Sequence, residues 1–433
     1  MKTIERKYLL PFILVTVCFA LWGFANDVTN PMVKALSKVF RMSVTDGALV
    51  QVAFYGGYFC MALPAALFIR RFSYKAGLLM GLGLYAAGAL LFLPAQASGS
   101  YYPFLSAYFI LTCGLSFLET SANPLVLSLG NGETATRRLN LAQAFNPIGS
   151  LAGMWVAMNF VQSRLNPMST QERALLSDTE FEAVKQADLL VLSRPYIAIG
   201  IVLVAMFLLF LLFFPNRTNP TEDSNTTGFK ATVSRLWHNR RYRYGVLAQF
   251  FYVGVQIMCW TFIIHYGTQV FTGEGMAERD AEVLSQRYNI AAMVIFCLSR
   301  FVCTWLMKYT KASRLLTIFA IGGIVLTTCV IFVGGRTGLY CLVGVSACMS
   351  LMFPTIYGIA LDGVGDDAKL GAAGLIMAIL GGSVLPPLQA RIIDGPGLGS
   401  IPSVNISFII PTICFVVIML YGIYVSKLHK RTV

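Results

Sequence analysis

Charged side chains are scarce in this 433-residue chain. Asp, Glu, Lys and Arg make up 12% of it and hydrophobic residues 56%, whereas soluble domains average about 25% charged and 45–50% apolar residues. The ten cysteines lack zinc-type spacing and all fall inside long apolar segments, so neither a metal site nor a disulfide framework is expected. The scarcity of charge predicts a polytopic membrane protein.

Apolar runs of about 20 residues recur along the sequence, and each is long enough to cross a bilayer as a helix. We therefore predict an all-α membrane protein with twelve transmembrane helices. The predicted spans are residues 9–36, 46–69, 76–95, 102–129, 139–163, 193–215, 244–271, 284–307, 313–334, 338–361, 370–390 and 404–426.

Basic residues decide the predicted orientation. If the chain crosses the membrane twelve times, most lysines and arginines fall in loops on the same side as both termini. By the positive-inside rule, both termini are then cytoplasmic. The net charge of +13 reflects this bias and contact with anionic lipid. Because the charges are dispersed among loops, no basic face is available to bind a nucleic acid.

A polar, turn-rich segment interrupts the spans at residues 216–243. We predict that it is a cytoplasmic linker between two pseudo-symmetric six-helix halves, residues 1–215 and 244–433. The halves repeat weakly, since Pro124 and Pro354 occupy corresponding places in the fourth and tenth spans. Parallel repeats of this kind are typical of major facilitator carriers, whose substrate site lies between the halves near the midplane. The sequence therefore predicts the major facilitator fold.

One acidic residue interrupts the fourth span. Glu119 lies within residues 104–129, which otherwise carry no charge and are long enough to cross a bilayer. A carboxylate at the bilayer centre costs about 2.5–3.5 kcal/mol on insertion scales, so it is rarely placed there without a use. A carboxyl group in an apolar environment also binds a proton more readily than one in water. We predict that Glu119 carries the coupled proton; a structural ion pair is the alternative.

Polar side chains that lipid would reject occur in four spans, spaced so that those of one span share a helical face. Amides and carboxylates beside aromatic rings suit a sugar, because each hydroxyl donates and accepts while the C–H face stacks on a ring. The proton-coupling acids are predicted to be Glu119 and Asp27. The predicted monosaccharide-binding residues are Asn26, Asn30, Asn123, Gln143, Asn146, Gln249, Tyr252, Gln256 and Trp260.

Several polar residues have a second interpretation. Amides in spans commonly bond neighbouring helices, and Asn140, near a span end, is expected to do so. Asp27 is either a proton site or a structural cap near the outer mouth. Arg300, inside the eighth span, is a counter-ion, a substrate donor or a gating contact, and a structural role is favoured. His265 is expected to be an interfacial residue rather than a proton relay.

Five segments resemble one transporter family. They read LWGFAN at 21–26, RFSYKAG at 71–77, LETSANP at 118–124, RLNLAQAFN at 138–146 and AQFFYVG at 248–254. They are similar to those of the bacterial L-fucose/proton symporters, in the fucose–galactose–glucose branch of the major facilitator superfamily. The resemblance covers nearly the whole chain. It implies a central proton- and sugar-linked role for Glu119 and sugar contacts for Gln143 and Asn146. It also implies a functional monomer in a bacterial inner membrane, without a cofactor.

Two positions depart from the family pattern. The resemblance places the first-span acid at Asn30, whereas this chain has Asp27, three residues earlier on the same helical face. It also implies a tyrosine before the tenth-span proline, where this chain has Phe353 and so lacks one hydroxyl. These departures leave open which sugar is carried and whether Asp27 replaces the acid at position 30.

We therefore predict a symporter that imports a proton and a monosaccharide by alternating access, and no enzymatic activity. A facilitative or antiporting sugar carrier on the same fold is the alternative. A polytopic membrane glycosyltransferase is a remote one, because its only candidate acids, Asp362, Asp366 and Asp367, have no histidine or partner acid beside them. We interpret that acidic run as a solvated inner loop.

Overall fold

Most of the residues that the structure describes are helical. A computed structural model describes residues 8–29, 32–42, 49–130, 132–168, 172–173, 175–214, 229–397, 399 and 401–431. No strand forms among these residues, and eleven helical stretches are long and apolar enough to cross a membrane. The predicted all-α membrane class is therefore confirmed. Asn30 and the first part of the predicted linker, 216–228, lie outside the described residues.

Most of the helices before the linker contain long apolar segments. A helix satisfies its own backbone hydrogen bonds, so such segments can enter lipid. The helices before the linker are α1 (Leu9–Thr29), α2 (Met32–Val39), α3 (Leu49–Arg71), α4 (Tyr74–Leu90), α5 (Phe92–Ser98), α6 (Tyr101–Ser128), α7 (Ala135–Gln143), α8 (Asn146–Val156) and α9 (Asp178–Phe213).

The helices after residue 228 begin with a short amphipathic one within the predicted linker. The remainder supply the later spans. They are α10 (Phe229–His238), α11 (Arg240–Gly273), α12 (Glu278–Leu306), α13 (Ala312–Phe332), α14 (Gly335–Met349), α15 (Met352–Leu361), α16 (Ala368–Met377), α17 (Gly381–Ile393), α18 (Ser403–Ser407) and α19 (Ile409–Arg431).

The fifth predicted span is a divided helix. The first piece, α7, ends at Gln143, and α8 begins at Asn146. Pro147 has no N–H and its ring disfavours helical geometry at the preceding residue, so the break falls where the sequence requires one. This span is not among the eleven stretches found in the described residues.

The tenth predicted span is divided in the same way. Its first piece, α14, ends at Met349, and α15 begins at Met352. Pro354 lies in the first turn of α15, where a missing N–H is tolerated. Both breaks therefore precede a proline.

By packing, the chain divides into two compact units. The N-terminal unit comprises the described residues of Glu5–Val126 and Ile148–Asp223, and the C-terminal unit those of Leu127–Pro147 and Ser224–Val433. Helix α7 thus packs with the later helices although it precedes the linker. The predicted bounds of the two halves stay a prediction.

Glycines allow a close contact between two helices of the N-terminal unit. A side chain added at Gly149 would collide with the Ala20 carbonyl, and one at Gly153 with the Phe24 carbonyl. Residues four apart share one face of a helix, so α8 presents both glycines to α1 and the two backbones meet. Ser150 donates a hydrogen bond to the Gly23 carbonyl at 3.3 Å. This contact fixes the part of α1 that leads to Asp27.

A buried ion pair links two segments of the N-terminal unit. Arg173 and Asp188 are almost inaccessible, and the Arg173 Nη2 lies 2.6 Å from the Asp188 Oδ2. The Asn166 backbone N–H donates to the other carboxylate oxygen at 2.9 Å. The pair joins the segment before α9 to the body of that helix. Nothing in the sequence pattern predicted it, because the two charges are fifteen residues apart.

Candidate functional site

Glu119 is the most deeply buried acid of the predicted proton site. It lies in α6 with 1% of its surface exposed. The buried Tyr58 of α3 faces it, but neither the Tyr58 hydroxyl nor the Glu119 Oε2 has a partner in hydrogen-bond geometry among the described residues. The Ser116 hydroxyl donates to the Tyr58 carbonyl at 3.1 Å and so holds α3 against α6 one turn before Glu119. The arrangement leaves one carboxylate oxygen and one phenol available to each other or to a ligand.

No basic side chain in the described part of the chain pairs with Glu119. A buried carboxylate without a counter-ion is costly in its charged form, whereas the neutral acid is not. The structural ion pair weighed for Glu119 therefore has no partner among these residues.

The other predicted polar residues of the N-terminal unit lie on the same helices. Asp27 is 8% exposed and within electrostatic range of Tyr55, one turn before Tyr58 on α3. The tyrosine face of α3 therefore meets both acids. Asn26 is half-buried, and Asn123 is buried one turn after Glu119.

Gln249 is the most conspicuous polar group of the C-terminal unit. It is fully buried in α11, and neither its amide oxygen nor its amide nitrogen has a partner among the described residues. The buried Thr355 hydroxyl of α15 is also without one. Leaving a buried polar group unsatisfied costs about 1–3 kcal/mol. Such groups suit a ligand that supplies hydroxyls.

Aromatic rings follow Gln249 along α11. The Tyr252 hydroxyl donates to the Met349 carbonyl at 3.2 Å, and its ring meets Phe353 edge-on with centroids 6.1 Å apart. The Trp260 Nε1 donates to the Ser346 hydroxyl at 3.1 Å. The hydrogen-bonding groups of both side chains therefore already have protein partners. Gln256, between them on α11, is half-buried.

The divided fifth span carries the remaining predicted amides. Gln143, 4% exposed, is the last residue of α7, and the half-buried Asn146 is the first of α8. Asn140 donates its amide to the Thr136 carbonyl of its own helix at 2.9 Å. The two residues predicted to bind the sugar, Gln143 and Asn146, thus flank the break, whereas Asn140 lies away from it.

The structure shows the surroundings of Arg300 and His265, whose roles the sequence left open. Arg300 is 3% exposed and donates to two backbone carbonyls, those of Gln143 and Ser350. His265 is exposed, beside the ring of Phe262. Within the described residues no group of His, Cys, Asp and Glu could hold a metal ion.

Tyr58 is the site residue that sequence reasoning missed. It follows two glycines in an apolar span and has no charged or amide neighbour in the sequence to mark it. Gly57 packs against Thr112 of α6, where a side chain would collide with the Thr112 hydroxyl. This close approach of α3 to α6 turns Tyr58 toward Glu119, and only a three-dimensional structure shows it.

Comparisons with known proteins agree with this architecture. The Major Facilitator Superfamily profile matches residues 15–386. The L-fucose-proton symporter of Haemophilus influenzae is 50% identical, over 99% of each chain. That of Escherichia coli K12 is 34% identical, over 98% of this chain and 94% of its own. A glucose/galactose transporter of Brucella abortus is 29% identical over 98% and 96%.

A solved structure extends the agreement to the fold. The crystal structure of the major facilitator transporter FucP in the outward conformation has a TM-score of 0.85 and 34% identity, covering 97% of this chain and 99% of that one. The chain belongs to the Major Facilitator Superfamily. The predicted fold and the family resemblance are both confirmed.

Proposed function

We infer that this protein is a proton-coupled symporter for a monosaccharide, and a transporter rather than an enzyme. The observation that carries the inference is Glu119, a buried acid in a membrane-spanning helix with no basic partner in the described residues. The two relatives named L-fucose-proton symporters support it. A facilitative carrier has no comparable use for such a group, and the names of these relatives favour symport over antiport.

Coupling follows from the cost of burying charge. Proton binding neutralises Glu119, and a neutral carboxyl group crosses a closed, dry state far more cheaply than a carboxylate. Sugar binding to the protonated carrier then permits the change of access. Proton release on the other side restores the charge and prevents return of the loaded form. Tyr58 faces the carboxyl group and donates to it when it is charged.

We propose a 6-deoxyhexose of the L-fucose type as the first sugar to test. The most similar of the named relatives carries that name, while glucose/galactose transporters are more distant. Phe353 lies between the rings of Tyr252 and Tyr357 and offers a sugar no hydroxyl. An apolar ring suits the C–H face of a deoxysugar.

We place the carrier in a bacterial inner membrane, as a functional monomer with both termini in the cytoplasm. The distribution of lysine and arginine among the loops supports this orientation. The lipid bilayer is then its only other expected partner.

Uptake of radiolabelled L-fucose, D-galactose and D-glucose into energised vesicles tests the proposed function. We expect uphill accumulation of at least one sugar, its loss on adding an uncoupler, and alkalinisation of the medium when sugar is added. Sugar entry without proton movement would identify a facilitative carrier, and acidification an antiporter. Vesicles that lack the protein provide the baseline.

Replacing the unsatisfied and break-flanking amides should weaken sugar binding. We expect Gln143→Ala, Asn146→Ala and Gln249→Ala each to cost about 1–3 kcal/mol, because a sugar hydroxyl loses its buried partner. Asn140→Ala is the control within the same helix, since its amide nitrogen already bonds the Thr136 carbonyl of that helix. Sugar affinity measured by calorimetry on purified protein gives the comparison. Equal, small losses at all four positions would instead assign these amides to helix packing.

A further inference from the structure

One guanidinium group joins two broken helices within the C-terminal unit. Arg300 of α12 donates from Nε to the Ser350 carbonyl at 2.6 Å and from Nη1 to the Gln143 carbonyl at 2.9 Å. It is 3% exposed and lies over the Phe296 ring at 4.7 Å. Both acceptors lie at helix breaks, Gln143 at the end of α7 and Ser350 between α14 and α15. We call these three residues the Arg300 clamp.

Prolines explain why both carbonyls are free. In a continuous helix the carbonyl of residue i accepts from the N–H of residue i+4. Pro147 stands four residues after Gln143, and Pro354 stands four residues after Ser350. Since proline has no N–H, each carbonyl loses its helical donor. Arg300 supplies a donor to both, and hydrogen bonds from a charged donor are shorter and about twice as strong as neutral ones.

The clamp is one part of a longer contact made by the fifth span. Thr136, near the start of α7, packs against Gly358 of α15, where even a Cβ atom would lie 2.8 Å from the Thr136 hydroxyl. Beyond the break, the rings of Phe145 and Phe301 meet edge-on with centroids 6.4 Å apart. Three points along this span therefore touch α12 and α15, and the clamp is the central one.

We propose that Arg300 is a positioning residue that keeps the carrier closed where α7 meets α12 and α15. In each transport cycle it must release the Gln143 carbonyl. This rests on the proposed function. Carriers of this fold change access by moving one six-span half against the other. Helix α7 belongs in sequence to the first six spans, whereas α12 and α15 belong to the later ones. A hydrogen bond between Arg300 and Gln143 joins segments that have to separate. While it holds, it also fixes the backbone that presents the Gln143 side chain.

A disulfide between α7 and α15 tests the proposal. A Cβ atom placed on Gly358 lies 3.3 Å from the Thr136 Cβ, close to the roughly 3.5–4.5 Å found in disulfides. Thr136→Cys and Gly358→Cys, introduced with the ten native cysteines replaced, should cross-link under mild oxidation. Adding Arg300→Gln should slow cross-linking about tenfold, which corresponds to about 1.4 kcal/mol. Arg300→Lys should lie between, because a lysine ammonium lacks the fork that spans two carbonyls.

Two controls separate the clamp from general damage. Arg287→Gln changes an exposed arginine of the same helix and should leave cross-linking unchanged. A separate variant that keeps only the native free thiols Cys329 of α13 and Cys341 of α14, which lie beside each other, reports on the rest of the unit. Their oxidation should not respond to Arg300→Gln. An unchanged rate at the α7–α15 pair, or equal slowing at both pairs, overturns the proposal.

Transport by the cross-linked protein gives a second, separate outcome. Oxidation should block sugar uptake in vesicles, and a reductant should restore it. Undiminished uptake by fully cross-linked protein contradicts the clamp, because the contact then does not need to open. No sugar uptake even by wild-type protein contradicts the proposed function instead, and leaves the cross-linking rates to decide whether Arg300 holds α7.

Discussion

Glu119→Gln is expected to abolish uphill sugar accumulation while leaving sugar counterflow in place. Glutamine has nearly the shape of the protonated acid but cannot release a proton. The variant should therefore bind sugar and change access without coupling either step to the proton gradient. Accumulation and counterflow, measured side by side in energised and de-energised vesicles, give the comparison. Glu119→Gln protein that concentrates sugar as wild type does would show that the proton is carried elsewhere.

Two matched substitutions sharpen this result. Ser121→Ala removes another buried polar group of α6, but its hydroxyl bonds only the Phe117 carbonyl at 2.7 Å, so coupling should survive. Asp27→Asn tests the second predicted acid. If Asp27 is a proton site, accumulation falls and Asn30→Asp restores part of it. Normal accumulation in the Asp27→Asn single variant would leave Glu119 as the sole coupling acid.

Asp188→Ala is expected to lower the free energy of unfolding by about 3–5 kcal/mol. Removing one member of a buried ion pair leaves the other charge uncompensated, and Arg173 is wholly inaccessible. The Asn166 backbone N–H loses its acceptor as well. Unfolding of the purified protein in detergent, followed by circular dichroism against denaturant or temperature, measures the loss.

A double variant that replaces both members of the ion pair shows whether the loss of stability comes from the unpaired charge or from the changed side-chain volume. Arg173→Met with Asp188→Leu removes both charges and keeps much of the volume, so it should recover most of the stability. Glu274→Ala breaks the exposed pair with Arg336, whose atoms are 2.7 Å apart, and should change little. Equal losses in the Asp188 single and double variants would mean that the segment tolerates no change there, whatever its charge.

Much of this architecture could be predicted from local sequence. The apolar runs predicted a membrane-spanning protein, because a helix needs about 20 apolar residues to cross a bilayer. Glu119 was found because a lone acid is rare in such a run. The break in the fifth span escaped prediction because hydropathy does not record where a proline removes a backbone donor. The sequence of residues 139–163 reads as apolar although the helix is divided.

The contacts made between helices could not be predicted. Tyr58 faces Glu119 only because Gly57 admits α6 closely. Arg173 reaches Asp188 through the fold of the segment between them. Arg300 was found as a buried charge, but its partners are backbone carbonyls, which every residue has and no sequence pattern marks. Periodicity identifies which side chains share a face of one helix, not which face of another helix they meet.

The two prolines and Arg300 have a consequence for how substitutions combine. Substituting Arg300 leaves the Gln143 and Ser350 carbonyls without a hydrogen-bond donor. Substituting one of the two prolines as well returns a backbone N–H donor to one of these carbonyls. The effects of Arg300 and Pro354 substitutions should therefore be strongly non-additive, since residues that share a partner couple by about 0.5–3 kcal/mol. Such epistasis constrains the order in which lineages can change these positions. A proline lost before the arginine leaves both carbonyls with a donor, whereas an arginine lost before the proline leaves both without one.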